Sequence, residues 1–165
     1  MALTATTKLE AVNTLLTAIG EAPVNSLTSG LVDAETAETI LDSVSREVQS
    51  QGWNFNTDYE REFTLDSNKQ IIVPPDVLRI EMAERRTSEL DVVARGNKLY
   101  NRATNSVYFD STISSVKMNA IVLLNFDDLP ESARRYVTIR SARIFQDRVV
   151  GSDVLHSFHQ RDELV

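Results

Sequence analysis

The chain reads in three blocks, separated by the period at which apolar side chains recur. Leu9, Val12, Leu15, Leu16 and Ile19 stand at helical spacing, the signature of one buried helix face. They predict a first helix over 7–19, with Gly20 as its stop. Pro23, Asn25, Ser26, Ser29 and Gly30 then break the pattern and make 21–33 a loop. Ala37, Ile40, Leu41, Val44 and Val48 restore it, predicting a second helix over 34–51 that Gly52 ends.

After Gly52 the period shortens to two. Trp53-Asn54-Phe55-Asn56 alternates apolar and polar, as a half-buried strand does. Residues 62–65 and 70–73 flank Asp66-Ser67-Asn68-Lys69 and predict a hairpin. Pro74-Pro75-Asp76 interrupts the sheet, and 77–82 resumes it. Residues 90–95 and 98–101 flank Gly96-Asn97, a two-residue hairpin signal. Strands over 106–109 and 116–125 complete a small antiparallel sandwich or barrel.

The helical period returns at Asp128. Asp128 and Glu131 fit a capping box, with Pro130 in the first turn. Ala133, Val137, Ser141 and Ile144 form a narrow stripe, with Tyr136 and Ala142 beside it, up to the break at Gly151. Ser152 is placed to cap a last helix carrying Leu155 and Phe158. The fold class is therefore α+β. N- and C-terminal helices, 1–52 with 127–165, form a helical bundle, and 53–126 is an inserted β domain.

Length and composition fit this reading. A chain of 165 residues buries about two thirds of its unfolded surface. At 42% hydrophobic and 25% charged it is not a disordered chain. No apolar run approaches the roughly 18 residues of a membrane span. Met1 to Lys8 holds no basic region followed by an apolar run, so a secretory signal is not expected. Cysteine is absent, which excludes disulfides, thiolate zinc sites and a cysteine nucleophile.

The net charge of −7 is unevenly spread. Residues 1–52 hold two basic and seven acidic side chains, whereas 129–165 hold six and five. An acidic chain lacks the clustered cations that grip phosphates. It suits instead a path along which DNA slides without sticking. The basic residues are 13 Arg against 4 Lys, and Arg is preferred where a planar fork must pair at an interface.

Little in the sequence points to catalysis. His156 and His159 lie three apart near Asp153, Asp162 and Glu163, but no H-E-x-x-H constellation surrounds them. They read as surface histidines. Asp127-Asp128 is better explained by helix capping than by acid–base work. Asp58, Glu60 and Glu62 alternate, which on a regular strand sets three carboxylates on one face. They are the candidates for a glycosidase pair. No phosphate loop, dinucleotide fingerprint or nucleophile elbow occurs, and no cofactor is expected.

The densest signal is the last long helix, with Arg134, Arg135, Arg140, Arg143 and Arg148 and no Lys. Intrahelical pairing of Glu131 with Arg134 or Arg135, and of Arg143 with Asp147, absorbs two of the five. The rest are candidates either for nucleic acid or for contact with Glu35, Glu38, Asp42 and Glu47 on the second helix of an adjacent copy, and the net charge of −7 favours the second. Such Arg-to-acid packing between unlike patches is head-to-tail and can close a ring.

Several stretches resemble one known family. Val44-Ser45-Arg46-Glu47-Val48-Gln49-Ser50, then Gly52-Trp53 and Phe55-Asn56, is similar to the N-terminal signature of the tail tubular protein A family. These are the head-to-tail adaptors of short-tailed podoviruses. The segment from Ala18-Ile19-Gly20-Glu21 through Leu27 resembles the same family, as does Val73-Pro74-Pro75-Asp76-Val77-Leu78-Arg79. So does Leu129-Pro130-Glu131-Ser132-Ala133-Arg134-Arg135-Tyr136, continuing into Ala142-Arg143-Ile144-Phe145-Gln146-Asp147-Arg148-Val149-Val150-Gly151-Ser152.

The resemblance implies a helical core with a β domain, assembled as a dodecameric ring in the virion. It implies as partners the portal protein, the tail nozzle (tail tubular protein B), tail fibres at that junction, and genomic DNA passing through the lumen. It implies a structural protein made in the host cytoplasm, with no membrane anchor. Some relatives have been described as degrading bacterial polysaccharide, which is the enzymatic alternative. No catalytic residues transfer onto this sequence. Relatives usually continue past the region of Gln160 to Glu163, and such an extension is expected to dock to a partner.

Overall fold

A computed structural model describes residues 4–151. The elements are α1 (Lys8–Ala18), α2 (Val32–Ser50), β1 (Thr57–Thr64), β2 (Val77–Met82), β3 (Val92–Arg95), β4 (Lys98–Asn101), β5 (Ser115–Val122) and α3 (Glu131–Val150). The fold is α+β, and every ladder is antiparallel. The chain divides into two compact units, one up to Val48 and from Asn125 onward, the other Gln49–Leu124. The last helix expected from Ser152 lies outside the described residues, as do His156 and His159.

In the helical unit, Thr7 caps α1 by accepting from the Glu10 N–H at 3.1 Å, which satisfies one orphan donor of the first turn. The helix buries Ala11, Val12, Leu15 and Leu16 and packs against α3. Burying each leucine contributes about 1.5–3 kcal/mol. Asn13 holds the following loop: its side chain donates to the Val24 carbonyl at 3.0 Å and accepts from the Val24 N–H at 2.8 Å. α2 begins two residues before the predicted 34, because the Leu31 carbonyl already accepts from the Glu35 N–H at 3.0 Å. It buries Ala37, Ile40, Leu41, Val44 and Val48, its predicted face, and Ala34 as well.

The capping box at α3 does not form. Asp128 belongs to a 3-10 turn, Phe126–Asp128, and Pro130 is the N-cap, with no side-chain cap bond. Glu131 and the neighbouring Asp127 serve the start of α1 instead. Glu131 accepts from the N–H and hydroxyl of Thr6, and Asp127 accepts from the Lys8 N–H at 3.0 Å. The first N–H groups of a helix lack intrahelical partners and attract negative charge. Glu131 therefore makes no ion pair with Arg134 or Arg135 within hydrogen-bonding reach among the described residues. The buried stripe of α3 centres on Val137, Thr138, Ser141 and Phe145, not on Ala133 and Ile144.

In the second unit, Trp53–Asn56 is not a strand. Asn54–Asn56 forms a 3-10 turn. Asn56 bends the chain there: its Oδ1 accepts from the Trp53 N–H at 2.8 Å, and its Nδ2 donates to the carbonyls of Gln49 and Val122 at 2.8 and 3.1 Å. The sheet order is β1-β5-β2, with β3-β4 a separate hairpin turned at Gly96, whose φ is +61°.

The predicted turn at Asp66–Lys69 exists, closed by Asp66 Oδ1 accepting from Asn68 and Gln70. Residues 70–73 do not return along β1. They run beside β4 instead, where the Ile71 carbonyl accepts from Leu99 N–H at 2.9 Å and Val73 N–H donates to Asn97 at 2.8 Å. The expected strand over 106–109 is reduced to one bridge, Asn101 with Ser106. The pairings Phe63 with Val116, Ile80 with Ala120 and Met82 with Met118 share one face. That face packs on Ile71, Val92, Leu99 and Phe109 to make the core of the unit.

Candidate subunit interface

α3 presents two unlike faces. One buries Val137, Ser141 and Phe145, each fully. The other leaves Tyr136 and Ile139 half exposed, at 52% and 54%, beside exposed Arg135. Val149 is exposed toward the C-terminal end, as is Arg148, which lies two turns beyond Ser141 and so on the other side of the helix from Tyr136 and Ile139. Tyr and Arg are residue types enriched at protein contact surfaces.

The five arginines have different employment. Arg134 is spent inside the unit: it donates to the carbonyls of Leu129 and Thr6, both at 2.7 Å, and to that of Asp127. Arg140 pairs with Glu47 at 3.0 Å. Arg143 is half-buried, while Arg135 and Arg148 are exposed. On α2, Glu38 and Asp42 both take Lys8, each at 3.0 Å. Burial pulls the Lys8 ammonium down, but the two carboxylates together outweigh it and hold its pKa above the ordinary lysine range. Glu35 is exposed and makes no ion pair among the described residues. Of the five arginines and four acids, Arg135, Arg148 and Glu35 are the ones that are exposed and make no ion pair among the described residues.

A groove of about 190 Å³ lies on this unit, lined by Thr6, Thr14, Arg135, Thr138 and Ile139. At the start of α2, Leu31 and Val32 are 56% and 74% exposed. The spacing rules used on the sequence miss these four apolar residues. The signal for Ile139 is that it falls outside the stripe through Val137 and Ser141; Tyr136, read beside that stripe, projects away from it. Leu31 and Val32 carried no signal, because a loop with isolated apolar residues is ordinary.

The carboxylates proposed for glycan hydrolysis do not share a face. Glu60 has φ +52° and the β1–β5 register slips between Asp58 and Arg61. One extra residue in a strand turns everything after it over. Asp58 is paired with Ala120, and Glu62 with Lys117 on the opposite side of the sheet. Asp58 goes to Arg61 at 3.3 Å. Among the described residues no group of three His, Asp or Glu is set to hold a metal ion, and no helix is long and apolar enough to cross a membrane.

The family model described as tail tubular protein matches residues 9–164. The chain belongs to the tail tubular protein family. It is 30% identical over 157 residues to tail tubular protein A of Klebsiella phage KP34, across 94% of this chain and 81% of that relative. Membership makes this a structural protein of a phage tail. A protein of a phage tail assembles with other tail proteins.

Proposed function

We propose that this chain is the head-to-tail adaptor of a short-tailed phage. It forms a ring, dodecameric as in the family it resembles, between the portal and the nozzle made of tail tubular protein B. Tail fibres attach near that junction, and genomic DNA passes through the lumen without specific binding. The helical part and the inserted β part act as separate domains, the first making the ring. Arg135, Arg148 and Glu35 carry the contacts between copies; Arg134, Arg140, Glu38, Asp42 and Glu47 contribute by fixing the helices that present them.

The observation that carries this reading is the outward face of α3, with Tyr136 and Ile139 exposed beside Arg135 in a member of a tail family. Likeness to a protein named tail tubular protein A supports the adaptor position. The net charge of −7 supports a lumen that does not trap phosphates. The test is a nonsense mutant of the phage gene. DNA-filled heads bearing a portal but no nozzle are expected, and added protein should form a ring on that portal by electron microscopy. Complete tails on the mutant, or a protein missing from purified phage, would overturn the reading.

A further inference from the structure

Two apolar patches on the helical unit are exposed, and their flanking charges are opposite. The first is Leu31-Val32, 56% and 74% exposed, beside Asp33 and exposed Glu35. The second is the groove of about 190 Å³ between α1 and α3, with Ile139 and three threonines in its walls and exposed Arg135 among them. A cavity of about 150 Å³ admits benzene, so the groove has room for an aliphatic side chain. Glu131 feels the charge of Arg135, but its own carboxylate is taken by Thr6. The Arg135 guanidinium makes no ion pair among the described residues.

We infer that the groove receives Leu31-Val32 of a second copy, with Arg135 of one copy paired to Glu35 of the next. The inference rests on the ring-adaptor reading and names its contact. Two different patches joined in this way make a head-to-tail interface, which closes into a ring when the rotation allows. Apolar insertion supplies the affinity, and the Arg–Glu pair fixes which patch meets which. The Thr14 and Thr138 methyls and the Ile139 side chain replace water around the inserted pair.

The absence of cysteine makes the test direct. Full-length V32C and I139C single variants, in an otherwise cysteine-free chain, are mixed, assembled on portal and oxidised. Both positions are exposed, so neither substitution threatens the fold. A V32C–I139C cross-linked dimer is expected from the mixture and from neither variant alone. The V32C/I139C double variant should give a ladder of multimers on a non-reducing gel. In parallel, R135E and E35R singly should weaken subunit association by about tenfold, and the double R135E/E35R should recover most of it.

Rings on the portal without the cross-link, or charge reversals without effect or recovery, would overturn this contact and leave the adaptor reading standing. Failure of the wild-type chain to assemble with itself under any condition would overturn both.

Discussion

The side-chain amide of Gln49 holds the backbone of Leu124 through both of its polar groups, accepting from the N–H at 2.7 Å and donating to the carbonyl at 3.1 Å. The two residues are the first and last of the β unit, so one side chain ties together the points where the chain enters and leaves it. Gln49 is fully buried. Gln49→Leu leaves two part-buried backbone groups of Leu124 unpartnered, each costing about 1–3 kcal/mol. A loss of about 3 kcal/mol is expected, read as a fall in melting temperature of about 10 °C. Exchange of the Leu124 amide should speed up more than that of the β5 amides before it. Gln49→Glu should not rescue, because the carboxylate cannot donate to the Leu124 carbonyl.

Arg134 is expected to matter before any assembly takes place. Its guanidinium reaches the carbonyls of Thr6, Asp127 and Leu129 at once, a task for a planar fork that an ammonium cannot perform. Arg134→Lys should cost about 2 kcal/mol in the isolated protein, by loss of charge-assisted hydrogen bonds. Urea denaturation of unassembled protein measures it. Arg135→Lys should leave that stability unchanged, because Arg135 has no comparable set of partners among the described residues. Equal effects of the two substitutions would remove the distinction between them.

Part of this architecture was legible in the sequence because the signals were local. The α1 and α2 faces, β2, the Gly96 hairpin and β5 follow from periodicity and turn residues within a few positions. The misses share a cause: a side chain found a distant partner in place of the local one. Glu131 reads as part of a capping box but bonds Thr6, 125 residues away. Asn56 reads as the polar step of a strand but bends the chain onto Gln49 and Val122. Glu60 sits in an alternating run, yet its positive φ marks a bulge that alternation cannot reveal. At the candidate interface, the concentration of Arg on α3 was visible, but not which arginines were already engaged. That depends on Thr6, Asp127 and Glu47 arriving from elsewhere in the chain.

The tie between Thr6 and Glu131 should be sensitive to acid. Hydrogen bonds from the Thr6 hydroxyl and N–H favour the charged carboxylate and hold its pKa below the ordinary range, and Arg134 and Arg135 add to this. A group whose pKa is depressed on folding contributes stability above its unfolded value, about 4.3 for Glu, and loses it as pH falls through the folded value. Glu131→Gln removes the titration but keeps an acceptor for Thr6. The stability gap between wild type and E131Q is expected to be constant from pH 7 to 5 and to close below about pH 4. Urea midpoints across that range test it; a gap independent of pH would show that the carboxylate charge contributes nothing.

Gly52 should tolerate no side chain, for two separable reasons. Its φ of +83° is a conformation that L residues rarely adopt. A Cβ there also falls 2.5 Å from Ile121 Cδ1, inside any allowed contact, and 3.3 Å from Ile121 Cγ1, which is tight. Gly52→Ala is expected to cost about 2–3 kcal/mol, of which the backbone conformation accounts for about 1. Ile121→Val deletes the clashing Cδ1 and by itself should cost about 1 kcal/mol. If the clash is real, the double variant G52A/I121V is more stable than the sum of the single losses predicts, with a coupling of about 1 kcal/mol. Denaturant melts of the four proteins decide it. Strict additivity would assign the whole effect to the backbone and leave Ile121 without a part in it.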